Sequence, residues 1–267
     1  METKHNITVI LREGQIQTAI ASLDIYFRIF LGQYDAIDLL YQWNSDPYKI
    51  QDDAAREDLR DDVFVQLRDE LAPDISQMGL GGSRGIYNEQ NDPRCMDAYN
   101  LMCSIRSEYA WYKHPAGGGA VDFRSPTKAG RYPHAKCEVT RINRAVTEIV
   151  EMIPEQYTLL SEAAGVYEAL LCGRMREVFS HYTEDPEMLE LAARTEQFHP
   201  RHLMPDVVRA AGEYRKHIAS YGRMTEVISG GENTGKKTKP SVANTDPSVA
   251  GRMAHTELEL QKEAEEE

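Results

Sequence analysis

Gly14-Gln15-Ile16-Gln17-Thr18-Ala19-Ile20-Ala21-Ser22-Leu23-Asp24-Ile25-Tyr26-Phe27-Arg28-Ile29-Phe30-Leu31 is the stretch that decides the fold. Ile16, Ala19, Ile20, Leu23, Phe27, Phe30 and Leu31 recur at three- and four-residue spacing, the mark of an amphipathic helix with a broad apolar face. Gly32 ends or bends it. Upstream, Ile7 to Leu11 is short, β-branched and apolar, and reads as a strand or as the lead-in to the helix. Downstream, Tyr34, Ile37, Leu40, Tyr41 and Trp43 carry a second helical face until Asn44-Ser45-Asp46-Pro47 breaks the pattern.

The same periodicity governs most of the chain. Gln51 to Glu70 holds eight acids against three arginines, with Leu59, Val63 and Leu67 as one narrow apolar stripe on a solvated helix. Pro73 stops it, and a glycine-rich loop, Gly79 to Gly85, follows. Asp92-Pro93 supplies an N-cap and a first-turn proline for a helix through Ala98, Leu101, Met102, Ile105 and Tyr109 to about Tyr112. His114-Pro115 ends that helix. Ala120-Val121-Asp122-Phe123 alternates like a short strand, with Cys137 to Thr140 as its expected partner.

Beyond Thr140 the sequence predicts helices throughout. Ile142, Val146, Ile149 and Val150 read as one face. Pro154 interrupts, and Leu159, Leu160, Ala163, Val166, Leu170 and Leu171 make another. Asp185-Pro186 opens a short helix and Asp206, after Pro205, the last one. From Gly230 the composition turns polar, so 230–267 reads as a disordered tail ending in a run of glutamates. The expected fold is mainly α and bundle-like with a minor β element. A first lobe spans 1–136, a second 137–229, and the tail follows.

Leu11 to Tyr41 can be laid on Met152 to Tyr182 so that Gln15, Tyr26, Gly32 and Tyr41 fall on Gln156, Tyr167, Gly173 and Tyr182. Either the chain contains a duplication or two amphipathic helices happen to resemble one another.

With 267 residues, 41% of them hydrophobic, the chain can bury a substantial core. No apolar run approaches the roughly 20 residues of a bilayer span, and Met1 to Asn6 lacks the features of a secretory leader, so a cytoplasmic protein without membrane attachment is expected. Cys95, Cys103, Cys137 and Cys172 stand apart without a C-x-x-C pair and read as free thiols. A formal charge of −13 disfavours general binding to nucleic-acid backbone.

Against that acidity, Lys113 to Arg144 stands out. Lys113, Arg124, Lys128, Arg131, Lys136, Arg141 and Arg144 face only Asp122 and Glu138 there. Trp111, Tyr112, Phe123 and Tyr132 are interleaved with these cations, a mixture able to stack a base while holding phosphate, and Gly117 to Gly119 could add backbone N–H groups. The alternative is a loop whose cations neutralise the acidic helix. Candidate ligand-binding residues are Arg106, Lys113, Arg124, Arg131, Trp111, Tyr132 and Arg28. The last lies one helical turn from Asp24 and can equally pair with it.

Other chemical motifs fail. Gly230-Gly231-Glu232-Asn233-Thr234-Gly235-Lys236 has phosphate-loop spacing, but Lys237 occupies the place of the magnesium-binding hydroxyl and no strand precedes it. Glu196-x-x-His199-x-x-His202 has metal-ligand spacing, but Pro200 breaks the helix it needs. No Gly-x-Ser-x-Gly elbow and no set-apart carboxylate pair occurs. No catalytic residue, metal or cofactor is nominated.

Leu23-Asp24-x-Tyr26-x-Arg28 with Gly32-Gln33-Tyr34, then Ala98-Tyr99 through Ile105-Arg106 and Glu108-Tyr109-Ala110-Trp111, then Gly118-Gly119-x-Val121-Asp122-Phe123, resembles small uncharacterised accessory proteins of tailed phages and prophages. The resemblance spans roughly Ile7 to Glu138. It implies a phage-encoded protein acting in the bacterial host cytoplasm and brings no catalytic residues with it. Three functions follow as expectations. The first is non-catalytic binding of a host protein of defence or replication. The second is sequestration of a nucleotide-like anion. The third, ranked last, is an enzyme with an unrecognised site. Close helix packing and aromatic abundance are also compatible with a homodimer.

Overall fold

The computed structural model describes residues 6–45, 54–78, 82–118, 121–126, 130–142, 145–200 and 203–230, with backbone alone at 54–61, 121, 198 and 223–230. The order is β1 (Ile7–Arg12), α1 (Glu13–Phe30), α2 (Asp35–Asn44), α3 (Ala54–Leu71), α4 (Pro93–Lys113), β2 (Lys136–Ile142), β3 (Ala145–Met152), α5 (Pro154–Leu171), α6 (Met175–Phe179), α7 (Pro186–Arg194) and α8 (Pro205–Gly230). Single 3-10 turns stand at Pro73–Ile75, Val121–Phe123 and Thr195–Phe198. The fold is therefore mainly α with a small three-stranded antiparallel sheet, ordered β1-β3-β2.

Local chemistry sets the helix limits. Asp92 accepts from the Arg94 amide at 2.8 Å ahead of Pro93, and Asp185 accepts from the Glu187 amide at 2.8 Å ahead of Pro186. Both satisfy one of the unpaired donors that every helix start exposes. At α1 and α5 the first-turn glutamine does this work instead. Gln15 Oε1 accepts from Arg12 N at 3.0 Å, and Gln156 Oε1 from Ile153 N at 3.1 Å. Each helix ends on a left-handed glycine, Gly32 at φ +79° and Gly173 at φ +71°. The closing bonds match one for one: Leu31 N to Phe27 O and Gln33 N to Arg28 O at α1, Cys172 N to Glu168 O and Arg174 N to Ala169 O at α5.

The equivalence of Leu11–Tyr41 with Met152–Tyr182 is thus carried by caps and turns at one constant offset. Strand register extends it: Val9 faces Val150, its own counterpart, and Ile7 faces Met152 while Leu11 faces Glu148. Exchanging the two halves leaves this pairing unchanged, which is the register a local two-fold axis through Val9 and Val150 requires. The element order also repeats, since each half runs from strand to long helix, glycine turn, further helices, 3-10 turn and closing helix.

The core lies where α1 packs on α4 and α5. Ile16, Ala19, Leu23 and Tyr26 of α1, Leu101, Met102 and Ile105 of α4, and Leu160, Ala163, Val166 and Leu170 of α5 are buried in it, and the sheet closes one side through Val9, Leu11, Val150 and Met152. β1 is an edge strand, and α8 covers its free edge. Tyr221 Oη accepts from Ile10 N at 3.3 Å, and His217 Nε2 lies 2.7 Å from Ile10 O.

Three expectations need correction. Ile142, Val146, Ile149 and Val150 belong to strands, because a segment with Val146, Ile149 and Val150 fits both periods and the two flanking strands select the extended one. Val121–Phe123 is a 3-10 turn, not a strand; Phe123 turns back edge-on to Trp111 at 5.0 Å. Cys137 to Thr140 is a strand, but its partner is β3. Residues 1–227 form one compact unit, so the boundary near Lys136 falls inside a sheet shared by both halves of the chain. A second unit is Ile228–Glu267, where only the end of α8 is described. The expected tail and its phosphate-loop-like motif otherwise lie outside the described residues.

Candidate functional site

The basic stretch wraps α4, and its cations settle at separate places along that helix. Near the N-terminal end, Asp97 is buried and accepts from Arg131 N at 2.8 Å and Arg131 Nε at 2.6 Å. The Arg131 guanidinium also lies over the Tyr132 ring, 5.0 Å from its centre. On another side, Lys113 pairs with Glu13, which also accepts from Tyr109 Oη at 2.8 Å. The Lys113 ammonium and the Tyr109 hydroxyl hold the Glu13 carboxyl below its ordinary range. Arg141 Nε donates to Tyr112 Oη at 2.7 Å, and Lys136 pairs with Glu151 at 3.3 Å.

Arg106 and Arg124 both act on the Cys103 thiol, while Trp111 packs on Phe123, the residue before Arg124. Arg106 Nε stands 3.9 Å from Asp122, too far to hydrogen-bond, and is buried without a hydrogen-bond partner among the described residues. Trp111 rests edge-on to Phe123, with Gly117 and Gly118 allowing the chain to pass close to both rings. Burial pushes the Cys103 thiol up, and the charges of Arg106 and Arg124 pull it back in part. Arg28 is elsewhere, on α1, donating to Asp24 at 2.7 Å and Gln33 at 3.0 Å. Lys128, Arg144 and Gly119 lie outside the described residues. The stretch therefore leaves Arg106 Nε unpaired near Asp122 and sets Phe123 on Trp111, with Lys113, Arg131, Lys136 and Arg141 matched to acids or a tyrosine.

Elsewhere, Glu196 accepts from Arg176 N at 3.2 Å, His199 donates through Nε2 to Leu171 O at 3.1 Å, and His202 is outside the described residues. Among the described residues no group of three or more His, Cys, Asp or Glu could hold a metal ion, and no helix is long and apolar enough to cross a membrane. The four cysteines are free.

A second surface was not singled out from sequence. Leu39 and Trp43, four residues apart on α2, are both exposed, Trp43 at 76%. Exposed Met204 is tied to the end of the same helix by its amide, which donates to Asn44 O at 2.9 Å, next to the isolated bridge between Ser45 and Leu203. Trp43, expected on the buried face with Tyr34, Ile37, Leu40 and Tyr41, instead points outward with Leu39, because the helix turns it one step past that stripe; Leu39, off the stripe, was the available signal. Met204 could only be added once the chain had folded.

No family model, curated protein or solved structure matches this chain.

Proposed function

We propose that the chain is a non-catalytic binding protein that engages a protein partner, acting as a phage-encoded accessory factor in the bacterial cytoplasm. The observation that carries the binding reading is the Leu39, Trp43 and Met204 patch. A tryptophan three-quarters exposed, one helical turn from exposed Leu39 and with exposed Met204 tethered by its amide to the end of the same helix, is the composition of an interface centre, and tryptophan is enriched at interface hot spots. The phage setting rests on the resemblance of 7–138 alone. Pairing of Lys113, Arg131 and Lys136 with Glu13, Asp97 and Glu151 fits the same reading, because those cations serve the body of the protein.

A second reading, sequestration of a nucleotide-like anion, is favoured by the unpartnered Arg106 Nε, 3.9 Å from Asp122, and by the Trp111–Phe123 ring pair, whose Phe123 follows Asp122 on the same turn. Two measurements separate the readings. Tagged full-length protein and its Trp43→Ala variant are used to capture partners from bacterial lysate, with melting temperature as the control. The first reading expects a stoichiometric protein retained by the parent and lost by the variant at unchanged stability. Calorimetric titration with mono-, di- and cyclic nucleotides that gives heat, abolished by Arg106→Ala, with no captured protein, would overturn it in favour of the second.

A further inference from the structure

Between the C-terminal end of α1 and the N-terminus of α4 lies a pocket of about 400 Å³. Phe30, Tyr34 and Tyr182 give it aromatic walls, and Arg84, Asn91 and Asp92 stand at its polar side. The volume is at the small end of ligand sites, and the mixture of apolar wall with a few polar groups is their usual composition. Charge at the rim is already balanced. Arg84 Nε reaches both carboxylate oxygens of Asp74 at 2.9 and 2.8 Å, and Arg94 pairs with Asp92 at 2.9 Å.

Unused hydrogen-bonding groups remain. Asn91 Oδ1 is buried with no partner among the described residues, while Nδ2 donates to Gly85 O at 2.7 Å. The Tyr34 side chain is buried, and no hydrogen bond of its hydroxyl joins it to a described residue. Among the described residues nothing donates to the Phe30 carbonyl either: Gln33 N and Tyr34 N, the nearest amides in sequence that could reach it, donate to Arg28 O and Gly32 O.

The other half of the molecule shows what such a corner accepts. Phe30, Gly32, Tyr34 and Tyr182 correspond at the constant offset to Leu171, Gly173, Met175 and Tyr41. In that copy the corner is filled by the imidazole of His199. Its ring packs against Gly173, within 2.6 Å of where a β-carbon would stand, lies edge-on to Tyr41 at 5.6 Å, and donates Nε2–H to the Leu171 carbonyl. In the first copy Ile75 fills the place against Gly32, so the open pocket lies beside that corner and has neither residue in its lining. An isoleucine has no N–H to offer, and the Phe30 carbonyl keeps its lone pairs.

We propose that this pocket binds an uncharged, planar heteroaromatic ring bearing an N–H donor, the class of azoles and free nucleobases. The aromatic walls receive the ring by edge-to-face contact. The Phe30 carbonyl and Asn91 Oδ1 accept from its N–H groups, and the Tyr34 hydroxyl donates to a ring nitrogen. An anionic ligand is disfavoured because each rim arginine already holds a carboxylate. The site is independent of the α2 patch, and either proposal can fail alone.

The test is calorimetric and ligand-observed NMR titration of the full chain at pH 8 with adenine, benzimidazole, 1-methylbenzimidazole and benzoate. Adenine or benzimidazole is expected to bind with a dissociation constant of about 1 mM or tighter, the level expected of ring-sized ligands. Methylating the ring N–H should weaken binding roughly three- to tenfold, as one lost hydrogen bond does, and so should Asn91→Leu or Tyr34→Phe. Circular dichroism confirms that each variant is folded, and Tyr34→Phe keeps the ring wall should Asn91→Leu fail to fold. Absence of binding by both heterocycles at about 10 mM, benzoate binding as tightly as benzimidazole, or affinities unmoved in the folded variants would each overturn the proposal.

Discussion

Val9 and Val150 lie directly opposite one another where β1 meets β3, and each is the counterpart of the other in the two halves of the chain. That coincidence ties the caps, the glycine turns and the strand register into one symmetric frame. It also allows a change in one half to be checked against the same change in the other.

The two glycines are the first such pair. A β-carbon at Gly32 would stand 2.5 Å from Ile75 Cδ1, the end of a flexible side chain, whereas at Gly173 it would meet three atoms of His199 between 2.6 and 2.9 Å. Both positions also carry left-handed backbone. Gly32→Ala is expected to cost about 1–2 kcal/mol and Gly173→Ala about 2–4 kcal/mol in urea denaturation. The reverse order would show that His199 moves more freely than its packing implies.

At the helix starts, Gln15→Ala should cost about 1 kcal/mol through loss of the bond to Arg12 N. Gln156→Ala should cost more, roughly 2 kcal/mol, because Gln156 is buried and its Nε2 also donates to Pro133 O at 2.7 Å. Thermal unfolding of the two variants side by side checks the difference.

Asp97 anchors the returning basic stretch to α4. Asp97→Ala leaves the Arg131 amide and guanidinium without their acceptor and opens a polar space against buried Asn100, so a loss of about 2–3 kcal/mol is expected. Arg131→Ala should cost less, about 1 kcal/mol, since that side chain is half exposed and the backbone bond survives. Limited proteolysis should cut Asp97→Ala faster between α4 and β2 than the parent.

Glu148 sits at the centre of the sheet, fully buried, with no hydrogen-bond partner for either carboxyl oxygen among the described residues. Burial pushes its pKa up to about 8, the Cys137 thiol pulls it back in part, and the Glu108 charge adds to the push. The folded state thus binds a proton that the unfolded chain releases near its ordinary value of about 4.3. Stability should fall as pH rises from about 4 to 8 and level off above, by up to roughly 5 kcal/mol from this group. Glu148→Gln should unfold at a higher temperature than the parent at pH 9 and at nearly the same temperature at pH 4. Parallel melting curves across that range would refute the buried-acid account.

Much of the helical frame was legible because its signals are local. Asp92-Pro93, Asp185-Pro186 and the spacing from Ile16 to Leu31 each act within a turn or two, and each lies where it was read. β3 was not legible, because a buried strand and a buried helix segment share the same apolar residues and the partners that decide between them lie far away in sequence. The site residues show the same limit. Charge composition drew attention to Lys113, Arg131 and Lys136, but which acid each one meets depends on how α1, α4 and β3 come together. Asn91 and Phe30 carried no signal, because an unpaired acceptor is visible only once every other donor has been placed.

The register of β1 has one more consequence. Its only strand partner among the described residues belongs to the distant second half, so while the chain is being made the first strand must wait, edge bare, until β3 and then α8 have left the ribosome. A nascent first half thus presents an unpaired strand edge, the kind of surface that favours aggregation. The same dependence predisposes the two halves, made as separate polypeptides in one cell, to find each other and reconstitute the sheet.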